Sequence, residues 1–412
     1  MPLIYSIIAP LIIISSVAVY QGEAFTAIET ARLLQNCMLI AGIGTLLQLY
    51  PIRKIGSGLP VVMGISFTFL AACLATASQD YGIMVGAIIV GGCFEGVLGL
   101  TAKYWRKIIS PIVSACVVVS IGLSILNVGV SSFGSSSAYP LGSWQNLLVA
   151  TITLAAALIF HTTLKGVAKQ LYVLLGMVVG YAVSICFAMG DTIRELGVIA
   201  VPQLFAFKPQ FQPGAILSFC LVFIVSAVET IGDTTACCKG GLGRDITAEE
   251  ISGSLCVDGF AAALSGGVFG CSPITSFSQN VGLISMTHVV NRFTIMFGAL
   301  AMILGGLFPP IGAFFTTLPN CVLGGCTVIM FGSIMMSGVR MMHDAGMDQR
   351  NTLIAATSIC LGVGVTQVDG FFNELPSFIG DIFAGNMVAG VFVVGLILDL
   401  CLPRDPSHYT SM

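Results

Sequence analysis

The sequence predicts an all-α polytopic membrane protein of fourteen transmembrane elements, arranged as two inverted seven-helix repeats. Three observations lead to this prediction. Of the 412 residues, 56% are hydrophobic and only 8% are charged, whereas soluble proteins carry about 25% charged residues. Apolar runs long enough to span a bilayer recur along the whole chain. Most basic residues lie in alternate connections between these runs, as in multi-pass proteins.

Each element is an apolar run bounded by polar, glycine or proline residues. At roughly 20 residues per spanning helix, the chain has room for fourteen such elements. In chain order they cover residues 2–20, 27–50, 58–78, 82–101, 108–129, 144–162, 169–189, 213–237, 251–269, 272–287, 293–308, 318–337, 350–367 and 379–402. The third and the tenth are interrupted segments.

The lysine and arginine residues test this assignment independently. If the N-terminus is cytoplasmic, every connection from an even to an odd element faces the cytoplasm. These connections and the C-terminus hold all but three of the 16 basic residues, the exceptions being Arg32, Arg194 and Lys208. This bias predicts a multi-pass protein of the cell (plasma or inner) membrane with both termini in the cytoplasm.

The third and tenth elements contain polar and helix-breaking residues. The third includes the run from Gly56 to Phe69 with Pro60 inside it, and the tenth starts near Pro273 and continues past Asn280. Irregular backbone survives at membrane depth only where it is buried in protein or lines a cavity. Each segment is third in its set of seven, and interrupted segments at matching places indicate a transporter's binding site. Two ordinary kinked helices are the alternative interpretation.

Carboxylates inside membrane spans are costly and usually functional. Glu229 and Asp233 are four residues apart on the eighth element, so they share one face of a helix. Two like charges there repel each other, which favours keeping one of them protonated, and such a group suits binding a substrate N–H or carrying a proton. The alternative is that the pair only hydrogen-bonds helix termini. Asp258, near the start of the ninth element, is expected to orient the neighbouring segment. A structural or interfacial role is expected for Glu95, Asp381 and Asp399.

The interrupted segments also contain groups that suit a flat, polar ring. The amides of Gln279 and Asn280 each present a donor and an acceptor, which match the edge of a nucleobase or a similar cyclic amide. A half-helix starting near Ser278 would direct backbone N–H groups to the same place. Three aromatic side chains, Phe67, Phe69 and Phe277, could stack on such a ring. The alternative is that they only pack in the protein interior.

Other kinds of chemistry find no support in the sequence. It shows no nucleophile–base pair, no nucleotide-binding loop and no metal-ligand spacing, so neither an enzyme, a metal nor a cofactor is expected. The scattered basic residues do not form a nucleic-acid-binding patch. The 14 cysteines form no CxxC pair, and most lie inside apolar runs as small hydrophobes.

The run from Gln279 to Thr287 resembles the signature of the nucleobase–ascorbate (NCS2) transporters. In that signature Gln, Glu or Pro precedes Asn-x-Gly, and a Thr follows the Gly by five residues. The resemblance covers essentially the whole chain. Three further motifs match the family in its order: Gly64-x-Ser66-Phe67, Glu229 with Asp233, and Asp258-Gly259.

The resemblance implies a uracil permease-like fold, in which short antiparallel strands in elements 3 and 10 meet at the substrate site. A core domain would comprise residues 1–105 (elements 1–4) and 212–310 (elements 8–11). A gate domain would comprise residues 106–195 (elements 5–7) and 311–404 (elements 12–14). A homodimer through the gate domain is also implied.

The resemblance assigns roles to individual residues. It implies that the substrate base hydrogen-bonds to Glu229, meets a second contact at Gln279 and stacks on Phe67. Further implied contacts to the substrate are Phe277, Ser278 and Asn280. Roles in proton coupling or in supporting the site are implied for Glu229, Asp233 and Asp258.

The implied function is a secondary active transporter that imports a purine nucleobase, xanthine or uric acid, by proton symport and alternating access. Gln279 and Asp233 favour an oxidised purine, because uracil-reading members resemble Glu-Asn at the first position and have His at the second. A uracil or other nucleobase permease of the same family is one alternative. An anion exchanger or channel on the same fold is another, although the Glu229–Asp233 pair counts against it.

Two departures from the family's pattern bear on this prediction. His288 stands where Arg, Lys or Gly is usual. Only nine residues precede Pro10, so the first element lacks its usual upstream half and the Gln-His pair found there. Either the start of the chain is misassigned or the first element is shortened, and a shortened element motivates a third alternative, an inactive or regulatory membrane protein.

Overall fold

The computed structural model describes residues 10, 13, 19–105, 110–169, 171–189, 202–277, 280, 284, 289–308, 314–315, 317–368, 370–383 and 386–403. Within these residues the chain is mostly helical, with two short antiparallel strand pairs. Six of the described helices are long and apolar enough to cross a membrane: Ile28–Leu49, Tyr81–Leu100, Pro111–Gly134, Trp144–Thr163, Pro213–Leu242 and Asn320–Ala345. The protein is therefore a multi-pass membrane protein.

The first half of the chain begins its helices at polar caps. Thr26 and Glu29 form a capping box at the start of α1, and Asp80 caps α3. The elements are β1 (Val19–Tyr20), β2 (Glu23–Ala24), α1 (Ala27–Leu49), β3 (Met63–Ile65), α2 (Leu70–Ala77), α3 (Tyr81–Leu100), α4 (Ala102–Trp105), α5 (Pro111–Ser124), α6 (Leu126–Gly134), α7 (Trp144–Thr163), α8 (Gly166–Lys169) and α9 (Tyr172–Cys186). A 3-10 turn, Phe67–Phe69, joins β3 to α2.

The second half uses the same signals. Pro213 opens the first helix, where its missing N–H costs nothing, and Thr247 with Glu250 forms a second capping box. The elements are α10 (Pro213–Cys237), α11 (Ala248–Gly267), β4 (Ile274–Ser276), α12 (Arg292–Leu307), α13 (Asn320–Ala345), α14 (Gln349–Gln367), α15 (Ser377–Phe383) and α16 (Met387–Cys401). A π-helical turn, Cys238–Leu242, extends α10.

The predicted spans 27–50, 82–101, 108–129 and 144–162 correspond to candidate membrane spans at α1, α3, α5 with α6, and α7, the predicted segment 350–367 is helical as α14, and one predicted continuous helix is wrong. Within the span Pro111–Gly134 a single residue, Ile125, separates α5 from α6, and its φ of −103° and ψ of 0° are not helical. The span 379–402 is divided into α15 and α16, because Asn386 is non-helical and its Oδ1 accepts a hydrogen bond from Ala389 N. Most of the predicted element 2–20 and half of the predicted element 272–287 lie outside the described residues.

The two interrupted segments meet through β3 and β4. The strands pair antiparallel, with Met63 opposite Ser276 and Ile65 opposite Ile274. All six strand residues are buried. Three-residue strands are short, so their backbone groups need further partners to be stable in an apolar interior.

Those partners come from residues at the ends and the edge of the strand pair. The Phe277 N–H donates to Val62 O at 3.0 Å and continues the ladder beyond β4. At the open edge of β3, the Met63 N–H donates to the Thr45 hydroxyl of α1 at 3.0 Å. The interrupted backbone is therefore satisfied within the protein.

Helices α3 and α11 pack more closely than ordinary side chains allow. A Cβ added to Gly92 would lie 2.6 Å from Ala263 N, and one added to Gly259 would lie 2.1 Å from Gly96 N. Small residues four apart permit this close approach of membrane helices. The backbone around residue 95 is consequently in contact with the backbone around residue 259.

A second group of helices packs around α13. It contacts α5, α6, α7 and α9, while α14 packs against α16 and α16 against α5. Helix α10 contacts both groups, because it packs on α3 and α11 and also on α5, α15 and α16. The carboxylates of α10 are therefore close to the place where the two groups of helices meet.

Candidate functional site

A cavity of about 240 Å³, here called the central cavity, lies beside the paired strands. On one side it is lined by the strand segments and α10, through Ser66, Phe67, Thr68, Glu229, Thr275, Ser276 and Phe277. On the other side it is lined by α5 and α13, through Val118, Ile121, Ser333, Ile334 and Ser337. The interrupted segments thus line a cavity, as the sequence pattern predicts.

Glu229 is half-buried and lines the central cavity from α10. The Thr68 hydroxyl donates to Glu229 Oε2 at 2.7 Å. Thr68 is in turn positioned by Ser66, whose hydroxyl accepts the Thr68 N–H at 3.2 Å at the start of the 3-10 turn. The first interrupted segment therefore orients the carboxylate that the sequence singled out for binding.

Phe67 and Phe277 line the same cavity, and each is only 5% exposed. The Phe67 ring meets Phe331 of α13 edge to face, with ring centroids 5.5 Å apart. Aromatic pairs of this kind stabilise packing as well as offering a face to a ligand. Stacking on a substrate stays a prediction for both residues.

Four side chains, here called the hydroxyl chain, lie in series with neighbouring polar atoms within hydrogen-bond distance. The Thr230 hydroxyl donates to Asp258 Oδ2 and lies 2.9 Å from the Ser276 hydroxyl. The Ser276 hydroxyl donates to Asp233 Oδ2 at 3.2 Å. Two predicted site carboxylates, on α10 and α11, are thereby connected through β4.

Asp258 lies in the middle of α11 rather than near its start, as the sequence had suggested, and its side chain is 0% exposed. Its Oδ2 also accepts the Ser276 N–H of β4 at 3.4 Å. The carboxylate therefore contacts the backbone of the second interrupted segment directly and reaches the Ser276 side chain through Thr230.

The remaining predicted contacts are not part of the described cavity lining. Asn280 donates from Nδ2 to Pro60 O at 3.1 Å, so its amide joins the two interrupted segments. Ser278, Gln279 and His288 lie outside the described residues. Their predicted roles stay predictions.

Sequence reasoning missed several polar residues of the site. Thr68 and Thr230 are hydroxyls close to the residues that the sequence singled out, but a threonine carries little information without a known neighbour. Glu95 was expected to be structural or interfacial, yet it is 0% exposed beside Asp258. The only sequence signal for it was a carboxylate between Gly92 and Gly96 in a membrane span.

The described residues contain no group of three or more His, Cys, Asp or Glu that could hold a metal ion. The polar chemistry of the described site therefore consists of carboxylates and hydroxyls. Such groups accept N–H donors and exchange protons.

Comparison with known proteins identifies the family. The sequence profile of Xan_ur_permease, a permease family, matches residues 4–371. The chain belongs to this permease family. It is consequently a membrane transporter and not an enzyme.

Two curated relatives of the permease have specific names. This chain is 32% identical over 398 residues to "Xanthine permease XanQ" of Escherichia coli, and the match covers 92% of this chain and 85% of that protein. It is 34% identical over 402 residues to "Uric acid permease PucJ" of Bacillus subtilis, covering 94% and 88%.

A solved structure shares the fold of the permease. It is "The transmembrane domain of a cyanobacterium bicarbonate transporter BicA", with a TM-score of 0.58 over 97% of this chain and 96% of that chain. The two sequences are only 14% identical. This similarity concerns the fold alone.

Proposed function

We propose that the permease is a secondary active transporter that imports an oxidised purine, xanthine or uric acid, together with protons. The observation that most supports this proposal is Glu229, which lines a small cavity together with Phe67 and Phe277. A carboxylate accepts ring N–H groups, and aromatic rings pack on the faces of a flat base. The names of XanQ and PucJ point to the same substrates.

The size of the central cavity is compatible with a free base. Ligand pockets usually have volumes of roughly 300–1,000 Å³, and the volume of the central cavity, about 240 Å³, is below the lower end of that range. A single bicyclic ring suits such a volume better than a nucleoside or a nucleotide. Its apolar walls with a few polar groups are typical of sites for small ligands.

The second edge of the base is assigned to Gln279, with Ser278 and Asn280 beside it. These assignments rest on the resemblance of the motif to nucleobase–ascorbate transporters. In this proposal Glu229 and Gln279 hydrogen-bond two edges of the ring, while Phe67 stacks on its face. Asp233 and Asp258 support the site and take part in proton coupling.

Transport would occur by alternating access between a core domain (1–105 and 212–310) and a gate domain (106–195 and 311–404), built from fourteen elements as two inverted repeats. The central cavity is lined by segments of both, so movement of one against the other would open it to either side. The proposed setting is the cell membrane, with both termini in the cytoplasm. A homodimer would form through the gate domain.

The proposal is tested with the full chain in proteoliposomes. Radiolabelled xanthine and uric acid should accumulate when the outside is acidic, and unlabelled xanthine should compete better than uracil. Purine uptake that is independent of the pH gradient would contradict proton coupling. Bicarbonate or chloride flux without any purine uptake would contradict the substrate class and favour an anion transporter.

A further inference from the structure

Glu95 is a carboxylate that neither the proposed substrate contacts nor the hydroxyl chain uses. It lies in α3 and is 0% exposed, and neither of its carboxyl oxygens makes a hydrogen bond of good geometry to a described residue, although the Ser226 hydroxyl of α10 is close enough to interact with it. Burying such a group without a partner costs several kcal/mol if it is charged. Ionisable residues kept in a membrane interior at this cost usually serve a function.

The polar groups that face Glu95 are themselves incompletely satisfied. Asp258 Oδ1, from α11, and the Ser226 hydroxyl, from α10, are both buried and have no hydrogen-bond partner among the described residues. The charged groups acting on Glu95 are Asp258 and Glu229, and both are acidic. The other titratable group nearby is the Cys256 thiol of α11, which donates to Gly96 O at 3.5 Å.

The close packing of α3 and α11 explains why this cluster excludes larger ligands. At Gly96 and Gly259 the two backbones are in contact, so the space beside Glu95 is closed by backbone atoms. The described residues show no group of three ligating side chains that could hold a metal ion. A proton needs no such space and relieves the repulsion between neighbouring carboxylates.

We propose that Glu95 and Asp258 together hold the transported proton, and that this proton reaches them from Asp233 through the hydroxyl chain. The inference rests on the proton coupling of the proposed function. One bound proton gives the pair a charge of −1 in place of −2. Asp233 is the partly exposed end of the chain, and Asp258 is its buried end.

The transfer balances at every atom of the hydroxyl chain. When Asp233 is protonated it donates to Ser276 Oγ, and the Ser276 hydroxyl turns to donate to Thr230 Oγ1. Asp233 then gives its proton to Ser276, Ser276 gives its own to Thr230, and Thr230 gives its own to Asp258 Oδ2. Each hydroxyl loses one proton and gains one, so only the two carboxylates change charge. In the proposal, rotation of the protonated Asp258 carboxyl lets the Glu95–Asp258 pair share this proton, and release follows the same steps in reverse.

This location couples the proton to the substrate. Ser276 of the hydroxyl chain lines the central cavity, and Glu229 acts electrostatically on Glu95. Two or three ionised carboxylates repel one another strongly in a low-dielectric interior. A proton on the Glu95–Asp258 pair therefore favours an ionised Glu229, which is the form that accepts a ring N–H.

The test compares Glu95→Gln with wild type and with Glu249→Gln, a matched change at an exposed glutamate of α11. In proteoliposomes a gradient of one pH unit should drive about tenfold xanthine accumulation by wild type and the control, because one pH unit on one proton is a factor of ten. Glu95→Gln should exchange labelled for unlabelled xanthine but accumulate none. Full accumulation by Glu95→Gln, or accumulation by wild type that follows a sodium gradient and ignores pH, would overturn the proposal.

A second readout does not depend on transport. The infrared carbonyl band of a protonated carboxylic acid should be present in purified wild type and in Glu249→Gln, and weaker in Glu95→Gln. If wild type fails to move xanthine, the proposed function fails, while this band still decides whether Glu95 takes part in holding a proton. An unchanged band in Glu95→Gln would overturn the inference.

Thr230→Val provides an independent variant should Glu95→Gln fail to fold. It removes the hydroxyl between Asp258 and Ser276 while keeping the shape of the side chain. It should keep the protonated-carboxyl band but lose pH-driven accumulation relative to xanthine exchange. Accumulation equal to that of wild type would refute transfer through the hydroxyl chain.

Discussion

Two regions of the permease bury a carboxylate completely but surround it differently. Asp399, near the end of α16, is 1% exposed and lies 2.8 Å from the guanidinium of Arg350 at the start of α14. Glu95, in α3, is 0% exposed, and its described charged neighbours are both acidic. Equal burial therefore comes with opposite electrostatic surroundings.

The difference separates a structural carboxylate from one available for chemistry. Arg350 also donates to Asp399 O at 2.6 Å, so the ion pair ties the last turn of α16 to α14. This carboxylate therefore has a structural role in holding the two helices together. Glu95 has no such counterion among the described residues, so its protonation can respond to its neighbours.

Asp399→Asn should produce the largest effect, a loss of up to about 3–5 kcal/mol in the free energy of unfolding, because it removes the buried carboxylate that pairs with the partly buried Arg350 guanidinium. Glu95→Gln should leave that free energy nearly unchanged, because it replaces an unpaired acid with a neutral group of the same shape. Denaturant unfolding of the detergent-solubilised protein measures both. Similar losses in the two variants would remove the contrast between the regions.

Glu229→Gln tests whether the Glu229 carboxylate of α10 binds xanthine. Hydrogen bonds to charged groups contribute about 1.5–3 kcal/mol, so the Kd for xanthine should rise roughly 10- to 100-fold. Equilibrium binding of labelled xanthine measures this change, with Glu249→Gln as the control. An unchanged Kd in Glu229→Gln would remove this residue from the site.

Gly259→Ala tests the close packing that keeps Glu95 away from water. The added Cβ would lie 2.1 Å from Gly96 N, so the helices must separate. Such overpacking usually costs about 1–3 kcal/mol of stability. Gly298→Ala on α12, where no atom lies within 4 Å of the added Cβ, is the control. Equal thermal unfolding of the two variants would show that the crossing is less tight than described.

Ser333→Ala should have the smallest effect. This residue lines the central cavity from α13, but its hydroxyl donates to Ile329 O of its own helix at 2.8 Å. Removing it should change the binding free energy of xanthine by under about 0.5 kcal/mol, as for most substitutions away from specific contacts. A tenfold increase in the Kd for xanthine would show that the α13 side of the central cavity contacts the substrate as directly as the α10 side does.

Much of the fold could be predicted from the sequence, because membrane helices are determined by local composition. Runs of apolar residues with polar ends place α1, α3 and α7 within a few residues of their observed bounds. Breaks inside a span are harder to predict when no proline or glycine marks them. Ile125 interrupts the span from Pro111 to Gly134 without such a signal.

Part of the candidate site could be predicted in the same way. Glu229 and Asp233 stand out because carboxylates are rare in apolar runs, and the interrupted segments stand out by their glycines and prolines. Ordinary residues did not stand out: Ser333, Ile334 and Ser337 occupy α13 in a pattern typical of any membrane helix. Their place at the cavity depends on how α13 packs.

The sequence by itself determined that this protein spans the membrane, which two segments are interrupted by glycines and prolines, and which carboxylates lie within apolar runs. Those properties follow from composition and from neighbours along the chain. Only the tertiary structure decided that Thr68 hydrogen-bonds to Glu229, 161 residues away, and that Glu95 lies beside Asp258 without a counterion. These contacts depend on glycine-lined helix packing and on strand pairing between distant segments, which no local pattern specifies.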